Sequence, residues 1–240
     1  MKKAISSALL VSFSMAAGFA MAQSATDDIA KYREMIADGN PAELYEAAGE
    51  DIWAKPMGPK NVSLQKCDLG LGPGVVKGAS AQLPRYFKDT NKVQDLESRI
   101  ITCMERLQGY DAKEIINAGF EKGKRKDVEA VVAYVVTASK GMKINVPMKH
   151  PKEKEMYAMG EKAFFFQGGP MDFACASCHA EDGKRIRLQD LPNITEQKGA
   201  ALGYGYWPAY RVSSGNFWTM QRRLNLSLIH ISEPTRQAEI

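Results

Sequence analysis

The sequence predicts a mainly α-helical protein built from two small lobes. Apolar residues recur at three- and four-residue steps in several segments, which is the period of an amphipathic helix. No segment alternates apolar and polar residues convincingly enough to predict a strand. Pro147 and Pro151, with lysines between and around them, predict a linker. We therefore place a hinge near residues 142–152, with one helical lobe on each side.

The N-terminal segment predicts export from the cytoplasm. Lys2 and Lys3 precede an apolar run at residues 4–19, and Ala20 and Ala22 follow as small residues near a cleavage point. This arrangement is typical of a cleavable secretory signal, which we place at residues 1–22. The alternative is a membrane anchor, but the run is short and polar residues interrupt it. We expect a periplasmic protein with no membrane contact after signal cleavage.

The charge balance gives no reason to expect a nucleic-acid partner. The chain has 32 Lys and Arg residues against 28 Asp and Glu, a net charge of +4. Removal of the signal takes away two lysines and no acidic residue, so the excess becomes smaller still. Nucleic-acid-binding surfaces carry a much stronger basic bias.

The elements of the first lobe follow from capping residues and periodicity. Residues 23–40 form an exposed lead-in with a short helix at 27–37. Asn40 can cap free amides and Pro41 loses no needed N–H, so a helix starts here. The glycine-rich segment 67–78 predicts a loop. An apolar helical stripe follows, formed by Val93, Leu96, Ile100, Cys103 and Leu107.

Two more helices flank the linker. The segment 127–140 has four valines at inward positions and Gly141 as its stop. The segment 153–167 closes at Gly168 and precedes the most specific motif of the chain.

That motif is Cys175-Ala176-Ser177-Cys178-His179, the C-x-x-C-H signature of c-type haem attachment. Two thiols add to the two vinyl groups on one edge of a haem, and a helical turn across two residues gives the required separation. His179 then lies beneath the ring, where its imidazole can bind iron. The apolar residues of the preceding helix can pack against the porphyrin edge. They are Met156, Met159, Ala163, Phe164 and Phe166.

Other sites built on two cysteines fit less well. A thioredoxin-like redox pair needs a strand just before it, and the pattern predicts none. A zinc site needs two further ligands, and only His150 and His230 remain, at no recognisable spacing. A simple disulfide would leave His179 unexplained. The sequence thus predicts one covalent haem c, attached at Cys175 and Cys178 and ligated by His179.

The remaining cysteines, Cys67 and Cys103, form a separate pair. An unpaired thiol is a liability in an oxidising compartment, so a disulfide between them is expected. The alternative is two buried thiols. On the chain-entropy model such a loop closure stabilises the lobe by ~3–4 kcal/mol.

Several runs of residues resemble SoxA, the c-type cytochrome subunit of bacterial sulfur oxidation. The likeness extends from about residue 30 to 225. Besides the C-x-x-C-H run, it is carried by Cys67–Gly74 (CDLGLGPG), Gln82–Phe87 (QLPRYF), Gln94–Arg99 (QDLESR), Pro208–Gly215 (PAYRVSSG) and Trp218–Asn225 (WTMQRRLN).

The resemblance implies two cytochrome c-like domains, which we place at 23–145 and 152–225. It implies pairing with SoxX, a small monohaem cytochrome. The implied activity is L-cysteine S-thiosulfotransferase: thiosulfate is joined oxidatively to a cysteine of the SoxY carrier, part of SoxYZ, and electrons leave through haem. This chain resembles the monohaem type, in which a disulfide like Cys67–Cys103 replaces the first haem.

A cluster of arginines suits the anionic substrate. Arg211, Arg222 and Arg223 place three permanently charged guanidinium groups beside an aromatic stretch. Guanidinium groups bind small anions well, because they donate two parallel hydrogen bonds. On the residues alone, a solvated basic helix face is the favoured explanation. The resemblance implies that Arg223 contacts substrate.

The chain departs from the family pattern at its end. The family's active cysteine, an iron ligand and sulfur nucleophile, should follow Arg223 by four residues, where this chain has Ser227. Serine is a poor iron ligand and cannot form a persulfide. From Leu226 onward the sequence bears no likeness to the family, and the family's closing helix is missing. Residues 226–240 resemble translated sequencing adapter, so we expect the natural protein to differ there and the haem domain to be incomplete.

Two functions from other classes remain as alternatives. One is a plain periplasmic electron-transfer cytochrome, and the other is a haem-based binding or sensing module. A distal cysteine favours sulfur chemistry, a distal methionine electron transfer, and a vacant distal position the sensor.

Overall fold

A computed structural model describes residues 39–186 and 189–232. The predicted signal at 1–22, the predicted helix at 27–37 and the last eight residues lie outside the described part. Residues from Leu44 onward belong to one compact unit. The first lobe of this unit is taken here as residues 44–145 and the second lobe as residues 152–232. In the described ranges no helix is both long and apolar enough to cross a lipid bilayer.

The first lobe contains four helices and one hairpin. Asn40 Oδ1 accepts a hydrogen bond from Ala42 N at 3.0 Å, as expected for the start of a helix. The helices are α1 (Ala42–Ala54), α2 (Leu96–Cys103), α3 (Ala112–Asn117) and α4 (Gly123–Thr137). The antiparallel hairpin is formed by β1 (Arg85–Phe87) and β2 (Lys92–Gln94).

The second lobe contains four further helices and two hairpins. The helices are α5 (Pro151–Phe165), α6 (Cys175–His179), α7 (Gln197–Tyr204) and α8 (Met220–Ser232). The strands pair antiparallel as β3 (Arg185–Ile186) with β4 (Gln189–Asp190), and β5 (Ala209–Arg211) with β6 (Asn216–Trp218). The mainly α fold predicted from the sequence is confirmed.

The hydrophobic core lies in the first lobe. Helices α2 and α4 pack against each other, and the loop at 67–78 closes over them. The core residues share near-zero exposure; the largest are Leu64, Leu69, Ile100, Met104, Ile115, Val128, Val131 and Val135. Cys67 and Cys103 lie in this core and form a disulfide. The first lobe therefore has a closely packed apolar interior.

Two expectations about the elements were wrong. The predicted absence of strands fails, because each hairpin strand has only two or three residues, too few to show a period of two. Val93 lies in β2 rather than in a helix: Asp95 caps α2 by accepting from Ser98 N at 3.0 Å, so that helix begins at Leu96. Helix α8 runs from Met220 through Ser232, and the absence of the family's closing helix after it stays a prediction.

Two other predicted helices are present in the described part, with shifted boundaries. The helix predicted at 127–140 runs from Gly123 to Thr137, and the one predicted at 153–167 runs from Pro151 to Phe165. The latter starts early because His150 caps it: the ring Nδ1 accepts from Lys152 N at 3.2 Å, and Glu153 accepts from His150 N at 3.0 Å.

Candidate haem-binding site

Helix α6 carries both cysteines of the C-x-x-C-H motif. Residues three apart in a helix share a face, so the two thiols point the same way. Neither thiol is in a disulfide; Cys178 is exposed and Cys175 is half-buried. Burial raises the pKa of the Cys175 thiol, and the neighbouring Cys178 adds to this. Ser177 Oγ accepts from Ala174 N at 3.0 Å and holds the start of the turn.

The ring of His179 is oriented by a backbone carbonyl. Its Nδ1 lies 2.9 Å from Pro192 O. A carbonyl oxygen can only accept, so Nδ1 carries the proton in this contact and Nε2 keeps its lone pair. Metal-binding histidines are commonly held in this way. The main chain is fixed as well, because Ile194 N donates to His179 O at 2.9 Å. His179 is thus prepared to ligate a metal through Nε2.

The second lobe lacks a closed apolar core of its own. Its buried apolar side chains in the described part are Ala174 and Phe217. Large apolar side chains of α5, of the loop before α6 and of α7 are instead exposed: Met156, Tyr157, Met159, Phe165, Phe166, Met171, Phe173 and Leu202. A porphyrin supplies a large apolar surface that such side chains can cover. The residues present therefore fit a haem.

The described residues fit the alternative sites poorly. Residues 39–186 and 189–232 contain no group of three or more His, Cys, Asp and Glu side chains that could hold a metal ion by themselves. A single bridge between Gly168 and Phe173, rather than a strand, precedes α6.

Two arginines share one indole ring in the second lobe. The guanidinium carbons of Arg211 and Arg223 lie 5.8 and 5.7 Å from the ring centroid of Trp207. Burial, and then the charge of Arg211, lower the pKa of Arg223. Within the described part, no carboxylate forms an ion pair with either arginine. A bound anion would offset both the loss of hydration of the Arg223 guanidinium and its repulsion by Arg211.

Arg222 differs from this pair in having a carboxylate partner. Its guanidinium forms an ion pair with Glu121 of the first lobe and lies 4.4 Å from the ring centroid of Trp218, which Arg211 also approaches to 5.3 Å. The grouping of the three arginines in one anion site stays a prediction, and Arg222 is the member whose charge already has a partner. Consecutive helix residues point about 100° apart, so the side chains of Arg222 and Arg223 contact different residues.

Comparison with known proteins identifies the family. A family model described as SoxA/TsdA, cytochrome c domain, matches residues 48–144. The L-cysteine S-thiosulfotransferase subunit SoxA of Hydrogenophilus thermoluteolus is 55% identical over 232 residues, covering 94% of this chain and 85% of that protein. This chain belongs to the SoxA family.

Further comparisons agree with SoxA-family membership. A SoxA subunit from Hydrogenobacter thermophilus is 37% identical over 210 residues, covering 85% of this chain and 75% of its own. The crystal structure of SoxXA from P. pantotrophus matches with a TM-score of 0.63 at 23% identity, covering 81% of this chain and 67% of that chain, which shows the shared fold. The resemblance to SoxA is thus confirmed, and a c-type haem is the cofactor of this cytochrome family.

Ser227 occupies the position where the resemblance expects the SoxA active cysteine. It lies on α8 one turn after Arg223, and its Oγ donates to Arg223 O at 3.1 Å. Residues four apart share a helix face, so position 227 and Arg223 lie on the same side of α8. The hydroxyl is used in a local helix contact and offers no sulfur for the chemistry of the family.

The first lobe contains a buried polar network that was not predicted from the sequence. Glu97 and Arg125 form an ion pair at 2.9 Å with both side chains almost fully buried. Burial raises the pKa of Glu97 to about 7, although its contacts with Thr219 and Arg125 act in the opposite direction. Burial likewise raises the pKa of Glu129 to about 6. The available signal was a charged residue inside an apolar helical stripe, as at Glu129 beside Val128.

Proposed function

We propose that this chain is the haem-bearing subunit of a complex that joins thiosulfate oxidatively to a carrier cysteine. The sulfur of the carrier thiol bonds to the outer sulfur of thiosulfate; one proton goes to solvent, and two electrons pass one at a time through haem to an external electron acceptor. The proposal rests on the arrangement at α6 in a chain of the SoxA family. This helix places two free thiols and an oriented imidazole among exposed apolar side chains.

One haem is proposed per chain, attached through thioethers at Cys175 and Cys178. The whole sequence contains a single C-x-x-C-H run, and the first lobe, with its Cys67–Cys103 disulfide, has a filled core. When bound, the haem supplies a one-electron redox centre. Pro192 O holds the His179 ring so that Nε2 would be available to ligate the haem iron.

The thiosulfate anion is proposed to bind at Arg223, with Arg211 as the second cation. Their guanidinium groups are half-buried around one indole, so hydrogen bonds to a sulfonate are less screened than at an exposed surface. Arg222 has its own carboxylate partner and is assigned no direct substrate contact.

Partners and compartment follow from family membership. The relatives are named as subunits, and the P. pantotrophus structure is a SoxXA complex. We infer SoxX as the partner of this chain and the SoxYZ carrier as the protein that receives thiosulfate. The basic and apolar N-terminal segment supports a periplasmic location. The division into domains at 23–145 and 152–225 stays a prediction.

Ser227 favours a second candidate function, a plain electron-transfer cytochrome. A chain with serine at this position has no thiol to carry a persulfide, yet it keeps the two attachment cysteines, Cys175 and Cys178, and the imidazole of His179. Sulfur transfer to SoxYZ in the presence of SoxX separates the two functions. The electron-transfer candidate predicts redox cycling without any thiosulfate–carrier product.

The substrate site is tested by Arg223→Ala in the haem-loaded chain. Charge-assisted hydrogen bonds contribute about 1.5–3 kcal/mol, so thiosulfate binding measured by calorimetry should weaken by roughly ten- to a hundredfold. The Soret spectrum should not change. Arg106→Ala is the matched control, since Arg106 is an exposed arginine of the first lobe paired with Asp89. Equal affinity in Arg223→Ala and the parent chain would contradict the proposed site.

The cofactor is tested on the exported, purified protein. A pyridine haemochrome assay should give one haem per chain, and the Soret band should survive acid–acetone extraction because thioethers hold the porphyrin. Two haems per chain, or a colourless extracted protein, would contradict the attachment site.

A further inference from the structure

Gln221, two residues before the substrate arginine, joins α8 to the first lobe. Its Nε2 donates to Asp95 Oδ2 at 2.6 Å, and its Oε1 accepts from Arg125 Nη2 at 3.2 Å. The side-chain amide of Gln221 thus donates one hydrogen bond to the first lobe and accepts another from it. Such a two-sided contact fixes the position and the rotation of the side chain.

Both partners of Gln221 are themselves held in place. Asp95 Oδ1 caps α2 by accepting from Ser98 N at 3.0 Å. Arg125 is paired with Glu97 at 2.9 Å, where the two side chains are 7% and 4% exposed. A buried pair of this kind has little freedom, because leaving either charge unpaired is strongly unfavourable. The first lobe therefore offers Gln221 a rigid donor and acceptor.

The residues beside Gln221 reinforce the contact. Thr219 is 1% exposed, and its Oγ1 accepts from Arg222 N at 3.3 Å. Arg223 N in turn donates to Thr219 O at 3.0 Å. Arg222 forms its ion pair with Glu121 of the first lobe. Gln221 and Arg222 thus hold the first turn of α8 to the first lobe, and Thr219 caps that turn.

This arrangement sets the direction of Arg223. Successive helix residues are rotated by about 100°, so Arg223 lies about 200° around the helix from Gln221. When Gln221 faces the first lobe, Arg223 faces away from it, and its guanidinium lies 5.7 Å from the Trp207 ring centroid. Rotation of α8 by one residue would remove Arg223 from Trp207.

We propose that Gln221 is a positioning residue for Arg223, and that the first lobe serves as the frame against which the anion-binding arginine is aimed. The inference rests on the proposed role of Arg223 in binding thiosulfate. Gln221 makes no contact with substrate; it acts through the rotation of α8. The lobe without haem therefore contributes to substrate binding through Asp95 and Arg125.

The test is a double-mutant cycle in the haem-loaded chain. Thiosulfate affinity is measured by calorimetry for the parent, Gln221→Met, Arg223→Ala and the double variant. Methionine has the length of glutamine and removes both hydrogen bonds. Gln65→Met, at an exposed glutamine of the first lobe, is the control. Haem content and Soret spectrum are recorded for each protein.

Gln221→Met should raise the Kd for thiosulfate roughly tenfold when Arg223 is present and less than twofold in the Arg223→Ala background. A purely structural role would lower stability without this dependence on Arg223. Equal effects in both backgrounds, or no effect in either, would overturn the inference while leaving Arg223 as a substrate residue. If Arg223→Ala binds normally, the proposed site fails and the inference fails with it.

A second variant covers the case in which Gln221→Met does not fold. Glu121→Gln removes the carboxylate that holds Arg222, at a partly exposed position where the change is mild. It should weaken thiosulfate binding only when Arg223 is present. A Kd unchanged from the parent in this variant would overturn the role of the first lobe as a frame.

Discussion

The buried carboxyl group of Glu97 should make the stability of the first lobe depend on pH. Burial raises its pKa from 4.5 to about 7 in the folded chain, so the folded state holds the proton more tightly than the unfolded state does. The stability from this proton is fully present below pH 4.5 and is lost as the pH rises through 7. Each pH unit in this window contributes at most about 1.4 kcal/mol, which gives about 3 kcal/mol as an upper figure.

The perturbation is Glu97→Gln, which keeps the size of the side chain and removes its titration. Urea unfolding followed by circular dichroism between pH 4.5 and 8 measures the free energy of unfolding. The parent chain should lose stability across this range, and the variant should lose markedly less. A smaller slope should persist in the variant, since burial also raises the pKa of Glu129 to about 6.

The control is Glu155→Gln on α5, where the side chain is exposed. It should reproduce the slope of the parent. Glu153 acts in the opposite sense: burial raises its pKa, but hydrogen bonds from Tyr86 N and the backbone near His150 outweigh burial and lower it, so its contribution is lost only below pH 4.5. If Glu97→Gln keeps the full slope of the parent, the raised pKa of Glu97 is refuted.

Three further predictions concern the cysteines, the proximal ligand and position 227. Replacing Cys67 and Cys103 by Ala should lower the free energy of unfolding by about 4 kcal/mol, given the 36-residue separation, and leave the haem content unchanged; an unchanged urea midpoint would contradict this. His179→Ala should keep the covalent haem but alter the Soret band, and added imidazole should restore it; a spectrum identical to the parent would exclude His179 as the ligand. Ser227→Cys should add one thiol reactive to Ellman's reagent in the apo chain and shift the Soret band of the haem-loaded chain, and an unshifted band would place position 227 away from the iron.

The haem motif and the helical class could be determined from the sequence because both are local. The C-x-x-C-H spacing needs only one helical turn, and α6 forms that turn. The helices around Val131 and Met156 were predicted from a period that fifteen residues display clearly. Family membership was likewise readable, because short specific runs such as the one at Cys67 lie in single segments.

The short strands and one helix boundary depended on competing local signals. Val93 continued the apolar period of α2, yet the cap at Asp95 and pairing with Tyr86 placed it in a strand. A strand of three residues gives too few positions for alternation to be seen. Its stability comes from its neighbours rather than from its own sequence.

Which of the two neighbouring arginines forms an ion pair was decided only by the tertiary structure. Arg222 and Arg223 are adjacent and chemically identical, so nothing local distinguishes them. Arg222 meets Glu121 101 positions earlier, and Gln221 meets Asp95 126 positions earlier. Contacts over such distances depend on how the two lobes pack, and the rotation of α8 that they set leaves Arg223, rather than Arg222, beside Trp207.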